Sequence, residues 1–186
     1  MTDLRPTAPG TDPVDRHDGL SIALHWAVLV AVVLTYGLGI VRESVPRGPA
    51  RDTVLLLHIS TGLVVLAGAV FRIAWHAGRR GFGFTEPPTT WAGRLAHLGL
   101  YAGIILVPLA GLATVWSRGQ AVSFFGIAEL PQLLPTYRAA AAFLAEAHEV
   151  LAHGLIALAG LHALAALGHH VLLRDGVLRG MLPRFR

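Results

Sequence analysis

The sequence predicts an all-α fold, an integral membrane four-helix bundle with both termini in the cytoplasm. Three observations predict it. Hydrophobic residues make up 54% of the 186 and charged ones only 14%, against roughly 25% charged in a soluble domain. The charges gather between long apolar runs, and four runs reach the roughly 20 residues a helix needs to cross a hydrocarbon core. Every one of the 15 basic residues is arginine, and the arginines divide unevenly between the connections.

Residues 1–18 are polar and hold Pro, Gly and Asp, the composition of a disordered tail. The apolar run that follows is too long for a cleavable signal peptide and reads as a membrane anchor. The expected spans are about 20–41, 53–77, 91–116 and 142–173, in one transmembrane domain over 19–183 with a short tail at 184–186. The fourth is longer than a bilayer requires, so it is expected to tilt or project. The first connection, 42–52, carries two prolines, and the second, 78–90, holds Glu86-Pro87-Pro88. The third, 117–141, sets Phe124, Phe125, Leu130, Leu133 and Leu134 among polar residues, which predicts a short amphipathic segment at the interface.

An even number of spans puts both termini on one side. That side receives Arg5, Arg16, Arg72, Arg79, Arg80, Arg94, Arg174, Arg179, Arg184 and Arg186, and the other receives Arg42, Arg47, Arg51, Arg118 and Arg138. Ten against five favours cytoplasmic termini. The net charge of +4 does not imply nucleic acid, because the arginines form no long basic run; they read as loop and headgroup charges, with membrane lipid as the partner. The absence of cysteine excludes disulfides, iron–sulfur clusters and covalently attached haem. No phosphate-cradling glycine loop and no serine–histidine–acid set is present.

Ten histidines are the chemical signal, most of them inside the spans. A lone buried histidine is usually a packed residue. Within a bilayer an ionisable side chain is expensive and needs a partner, and several at matching depths favour ligation of a cofactor. His25 lies about one turn inside the cytoplasmic start of the first span and His58 about one turn inside the outer start of the second. His148 lies near the outer end of the fourth, and His162 follows fourteen residues later. Fourteen residues rotate to within about 40° of the starting face and rise about 21 Å. One face of the fourth helix thus offers a ligand in each leaflet, which suits two stacked planar cofactors. Depth pairs His58 with His148 and His25 with His162, each pair clamping one iron porphyrin. Imidazole is a good iron ligand, and filling both axial positions favours electron transfer over oxygen chemistry.

Gly62, one turn after His58, leaves room for a flat ring against the backbone, although it and Gly68, Gly103, Gly111 and Gly160 equally suit close helix packing. His153 falls about 140° off the ligand face and reads as a packing residue. His169 returns to that face near the cytoplasmic surface; it and His97 are candidates for a haem propionate or a quinone oxygen, and a His97–His169 pair is a minor alternative. Arg72 is a candidate for a propionate, or it snorkels to headgroups. His17, His76 and His170 read as interfacial.

Several stretches resemble the bacterial cytochrome b561 family of four-helix di-haem proteins: Ser21-Ile-Ala-Leu-His25-Trp26, His58-Ile-Ser-Thr-Gly62, His97-Leu-Gly-Leu-Tyr101 and Pro108-Leu-Ala-Gly111. In the fourth span they continue as Ala147-His148-Glu149 and Leu161-His162 through His169-His170, and end in the tail from Arg174 to Pro183. The resemblance spans roughly 20–183. It implies two haem b groups held by the histidine pairs above, an inner-membrane location and exchange of electrons with ubiquinone or a similar quinone. The family includes a superoxide oxidase, which takes an electron from periplasmic superoxide and passes it through both haems to quinone. By that likeness the outer arginines are candidates for steering an anion; plain solvated loop charges are the simpler account of them. Other relatives are haem-bearing anchor subunits for a hydrogenase, a dehydrogenase or a c-type cytochrome, which is the alternative function. A histidine-lined metal transporter is a third reading; it expects acidic residues within the spans, and only Glu146 and Glu149, at the outer end of the fourth, come close.

Overall fold

The computed structural model describes residues 19–80, 90–174 and 178–182. The expected tail over 1–18 with His17, the Glu86-Pro87-Pro88 stretch, the tail at 184–186 and the side chain of His76 lie outside the described residues. Four long helices run in sequence: α1 (Gly19–Ser44), α2 (Pro49–Arg80), α3 (Trp91–Ser117) and α4 (Arg138–Gly168). All four are long and apolar enough to cross a membrane, α4 counted together with the turn that follows it to Leu173.

The helices run on past the apolar stretches because backbone hydrogen bonding continues wherever the terminus is satisfied. Pro49 opens α2, where its missing N–H costs nothing and its fixed φ suits the first turn. Gly48 before it stands at φ 144°, which a side chain would resist. Thr90 caps α3, its hydroxyl accepting from the Gly93 N–H at 3.2 Å. Pro108 lies inside α3, a placement membrane helices tolerate because neighbouring groups re-satisfy the freed backbone.

Consecutive helices pack most closely, α1 on α2, α2 on α3 and α3 on α4. The surface is apolar, as lipid demands: Val150 is 65% exposed, Leu161 64% and Val30 64%. Several of the most enclosed residues are small or polar, with Ser60 and Ala69 at 0%. Glycine lets α3 and α4 approach. A Cβ on Gly103 would meet Leu155 Cδ1 at 2.8 Å, and one on Gly99 would meet Leu158 Cδ2 at 2.8 Å.

The third connection departs from the expected amphipathic segment. It folds as a hairpin, β1 (Val122–Phe124) pairing antiparallel with β2 (Ala128–Leu130). Phe125 and Gly126 take φ of 51° and 73° at its tip, a left-handed pair that closes a tight turn. Ser60 of α2 anchors it: the Ser60 hydroxyl accepts from the Phe125 N–H at 2.8 Å and donates to the Ser123 carbonyl at 3.4 Å. The apolar residues of the segment do not encode this fold by themselves, because the decisive partner, a buried serine, lies on another helix.

Beyond Gly168 the fourth span continues as a π-turn (His169–Leu173), closed by Arg174 at φ 53° with its N–H on the His169 carbonyl. Residues 178–182 return toward α1, and the Trp26 indole donates to the Met181 carbonyl at 2.8 Å.

Candidate functional site

Two histidine clusters sit at different depths. In the first, the rings of His58 (α2) and His148 (α4) face each other across the bundle with centroids 6.0 Å apart and planes at 88°. Each is held by the backbone of the preceding helix. His58 Nδ1 donates to the Thr35 carbonyl at 2.9 Å, and His148 Nδ1 donates to the Val107 carbonyl at 2.9 Å. A carbonyl only accepts, so the neutral rings carry their protons on Nδ1 and leave the Nε2 lone pairs free for a metal.

Those bonds depend on two glycines. In a helix the carbonyl of residue i already takes the N–H of residue i+4, and the side chain at i+4 leans back over it. For Thr35 and Val107 that residue is Gly39 and Gly111. A Cβ on Gly39 would lie 3.3 Å from His58 Cε1, and one on Gly111 would lie 3.0 Å from His148 Cε1. The same device therefore occurs twice, once in the α1–α2 hairpin and once in the α3–α4 hairpin. Neither Thr35–Gly39 nor Val107–Gly111 is evident from the histidine positions alone. The available signal was a glycine placed four residues after a carbonyl at histidine depth. Gly62, read as ring clearance, lines the same cavity but meets only Thr35 Cγ2, at 3.8 Å.

His58 and His148 line a cavity of about 280 Å³ together with Gly39, Gly62, Gly111, Arg42 and Arg118, far beyond the roughly 30 Å³ of one water. Two imidazoles bonded to one metal at about 2.0–2.1 Å stand roughly 6 Å apart, centre to centre. The observed spacing and the free Nε2 atoms fit an iron between them. His153, read as a packing residue, makes an edge contact with Tyr36 of α1 at 5.7 Å and donates from Nδ1 to the Glu149 carbonyl.

The second cluster draws on all four helices. The His97 ring (α3) lies 5.5 Å from that of His162 (α4). Arg72 (α2) donates from Nη1 to His25 Nδ1 (α1) at 3.3 Å, and its guanidinium carbon lies 5.7 Å from the centre of the Tyr101 ring. A guanidinium has no acceptor, so His25 Nδ1 accepts here, the reverse of the His58 and His148 pattern. Arg72 is within electrostatic reach of His97 and His162 as well, and its Nε is buried without a hydrogen-bond partner among the described residues. The structure thus gathers His25, Arg72, His97 and His162 at one level and brings His97 and His162 into ring contact. His169 is exposed at the start of the π-turn, while its neighbour His170 is partly enclosed with a buried Nδ1 that has no partner among the described residues.

A family model for prokaryotic cytochrome b561 matches residues 16–184. The chain is 30% identical over 179 residues to cytochrome b561 homolog 2 of Escherichia coli K12, covering 94% of this chain and 95% of the relative. It is 30% identical to a probable superoxide oxidase, CybB, of Yersinia pestis, covering 92% and 98%. It is 32% identical to cytochrome b562 of Cereibacter sphaeroides, covering 89% and 94%. A four-span architecture, an imidazole pair spaced for iron and a match over nearly the whole length agree, and the chain belongs to the prokaryotic cytochrome b561 family, as a multi-pass b-type cytochrome of the bacterial inner membrane that binds haem b and carries electrons.

Proposed function

We propose that this chain is a di-haem cytochrome that passes electrons from a periplasmic donor, superoxide being the candidate, to ubiquinone or a similar quinone. The observation that carries the reading is the His58–His148 pair: 6.0 Å between centroids, with both Nδ1 atoms tied to helix carbonyls. In this reading His58 and His148 ligate the outer haem and His25 and His162 the inner one. Bound haem supplies a one-electron couple on each side of the bilayer. Two superoxide anions each give up one electron and leave as dioxygen, and the two electrons with two protons convert one quinone to quinol.

The arginine bias of the connections supports a topology with His58 and His148 toward the periplasm and both termini in the cytoplasm. Arginines of the outer connections raise the local concentration of an anionic donor. At the inner cluster, ligation through His25 Nε2 requires Nδ1 to carry the proton. The Arg72 contact and ligation therefore exclude each other, and Arg72 turns away when the site is filled. Its unpartnered Nε suits a propionate there, with His97 and His169 as further contacts to propionate or quinone.

A second reading, a haem-bearing anchor for a separate dehydrogenase, hydrogenase or c-type cytochrome, is favoured by the exposed apolar residues of the third connection, Ile127 at 84% and Leu133 at 71%. The experiment that tests the first reading is haem quantitation with a reduced-minus-oxidised spectrum on purified protein. Two low-spin b haems per chain are expected, one lost in His148→Ala and the other in His162→Ala. Retention of both haems in His148→Ala refutes the assignment. Rapid quinone reduction on adding superoxide separates the self-contained carrier from the anchor, which is inactive without its partner.

A further inference from the structure

The outer cavity contains polar atoms that the ligand pair does not use. Arg42 lies in the last turn of α1, three residues after Gly39, and lines the cavity of His58 and His148. Its Nε is buried with no hydrogen-bond partner among the described residues. Thr35 Oγ1, from the residue whose carbonyl holds His58, is likewise buried and unpartnered among the described residues, and Thr35 lines the same wall. Arg118, the residue that caps α3, lines that cavity too. Arg42 lies in the electrostatic field of both Arg118 and Arg51.

Like charges are thus gathered at one rim of an apolar chamber. A position in the last turn of α1 favours a cation through the helix dipole, but it does not provide Nε with an acceptor. Glu43 and Glu149 also stand on the rim, and Asp52 is near Arg42. All three acids are exposed, whereas Arg42 is half-buried. Arg42 lines the cavity and carries a buried donor unpaired among the described residues, and a guanidinium so placed calls for an anion inside that cavity.

We infer that Arg42, with Arg118 beside it, is a carboxylate clamp for the outer cofactor, its guanidinium receiving a propionate of the porphyrin held between His58 and His148. The inference rests on the di-haem reading. Iron protoporphyrin has an apolar body with two carboxylates on one edge, and the cavity matches that division: Val65, Leu112 and Leu155 on its walls, arginines at its rim. The guanidinium fork suits a carboxylate better than an ammonium does. It fixes which edge of the porphyrin faces the surface and neutralises a charge beside the iron, which favours the reduced state.

The test uses full-length His162→Ala protein, so that only the outer site fills, titrated with haem b and with its dimethyl ester, which lacks the carboxylates. Arg42→Gln is expected to weaken haem b binding about tenfold and to leave ester binding unchanged, with Arg42→Lys recovering part of the loss. In the fully loaded protein the same change lowers one midpoint potential, by about 59 mV if the reduced haem loses tenfold more affinity than the oxidised one, and leaves the other in place. Equal weakening of both ligands, or of neither, overturns the clamp. If Arg42→Gln does not accumulate, Arg118→Gln is put through the same comparison, and an unchanged haem-to-ester ratio overturns the inference. If His148→Ala added to the His162→Ala protein binds haem as tightly as its parent, the di-haem reading itself has failed, which is a distinct result.

Discussion

Replacing Gly111 by alanine should loosen the outer haem while costing the haem-free fold little. The new Cβ would stand 3.0 Å from His148 Cε1 and 3.2 Å from Nδ1, where ordinary contact begins at 3.4 Å. The ring must therefore retreat by a few tenths of an ångström, which stretches the 2.9 Å bond from Nδ1 to the Val107 carbonyl to or past the roughly 3.2 Å limit of a good N–H···O bond. Overpacking of this kind costs about 1–3 kcal/mol. Within the helix itself, Gly to Ala contributes about 0.5–1 kcal/mol in the stabilising direction. The clash is present with or without haem, so the haem-free fold should lose about 0–2 kcal/mol net of the helix gain, and its unfolding temperature holds or falls. Haem affinity at the outer site should fall in addition, because the ligand is displaced, by about tenfold to a hundredfold at about 1.4 kcal/mol per tenfold. The assay is the rate of haem transfer from the variant to an apoprotein scavenger, followed by absorbance. Gly160→Ala is the control, because a Cβ there meets nothing within 4 Å. If Gly111→Ala and Gly160→Ala release haem at the same rate, the claim that Gly111 exists to admit His148 is wrong.

Two further outcomes follow from packing and hydrogen bonding. Ser60→Ala removes the acceptor of the Phe125 N–H and the donor to Ser123, at about 0.5–1.5 kcal/mol for a part-buried hydrogen bond. Faster hydrogen exchange over 122–130 with haem content retained is expected, and unchanged exchange would contradict the role of anchor. Gly103→Ala forces Leu155 Cδ1 away from a 2.8 Å contact. A net loss of about 0–2 kcal/mol is expected after the helix gain, read as a lower unfolding temperature in detergent; Gly154→Ala, with nothing within 4 Å, should show none.

The number and approximate placement of the helices were legible in the sequence because crossing hydrocarbon imposes a length and a hydropathy on each run. So was the depth of each histidine, because position along a helix is linear in residue number. His148 and His162 could be set on one face by counting, and His58 could be matched to His148 by depth. Depth is a coordinate along the axis, however, and does not say which helix lies beside which. Only the packing of the bundle gave His162 the ring of His97 as a neighbour and put Arg72 on His25 Nδ1. The proton positions on His58 and His148 were set the same way, by carbonyls of Thr35 and Val107 on other helices, bared by Gly39 and Gly111. The hairpin over 122–130 likewise owes its anchor to Ser60, more than sixty residues away. Local periodicity encodes which residues each helix presents to the interior; lateral contact between helices decides which of them meet, and through that which nitrogen is left to bind.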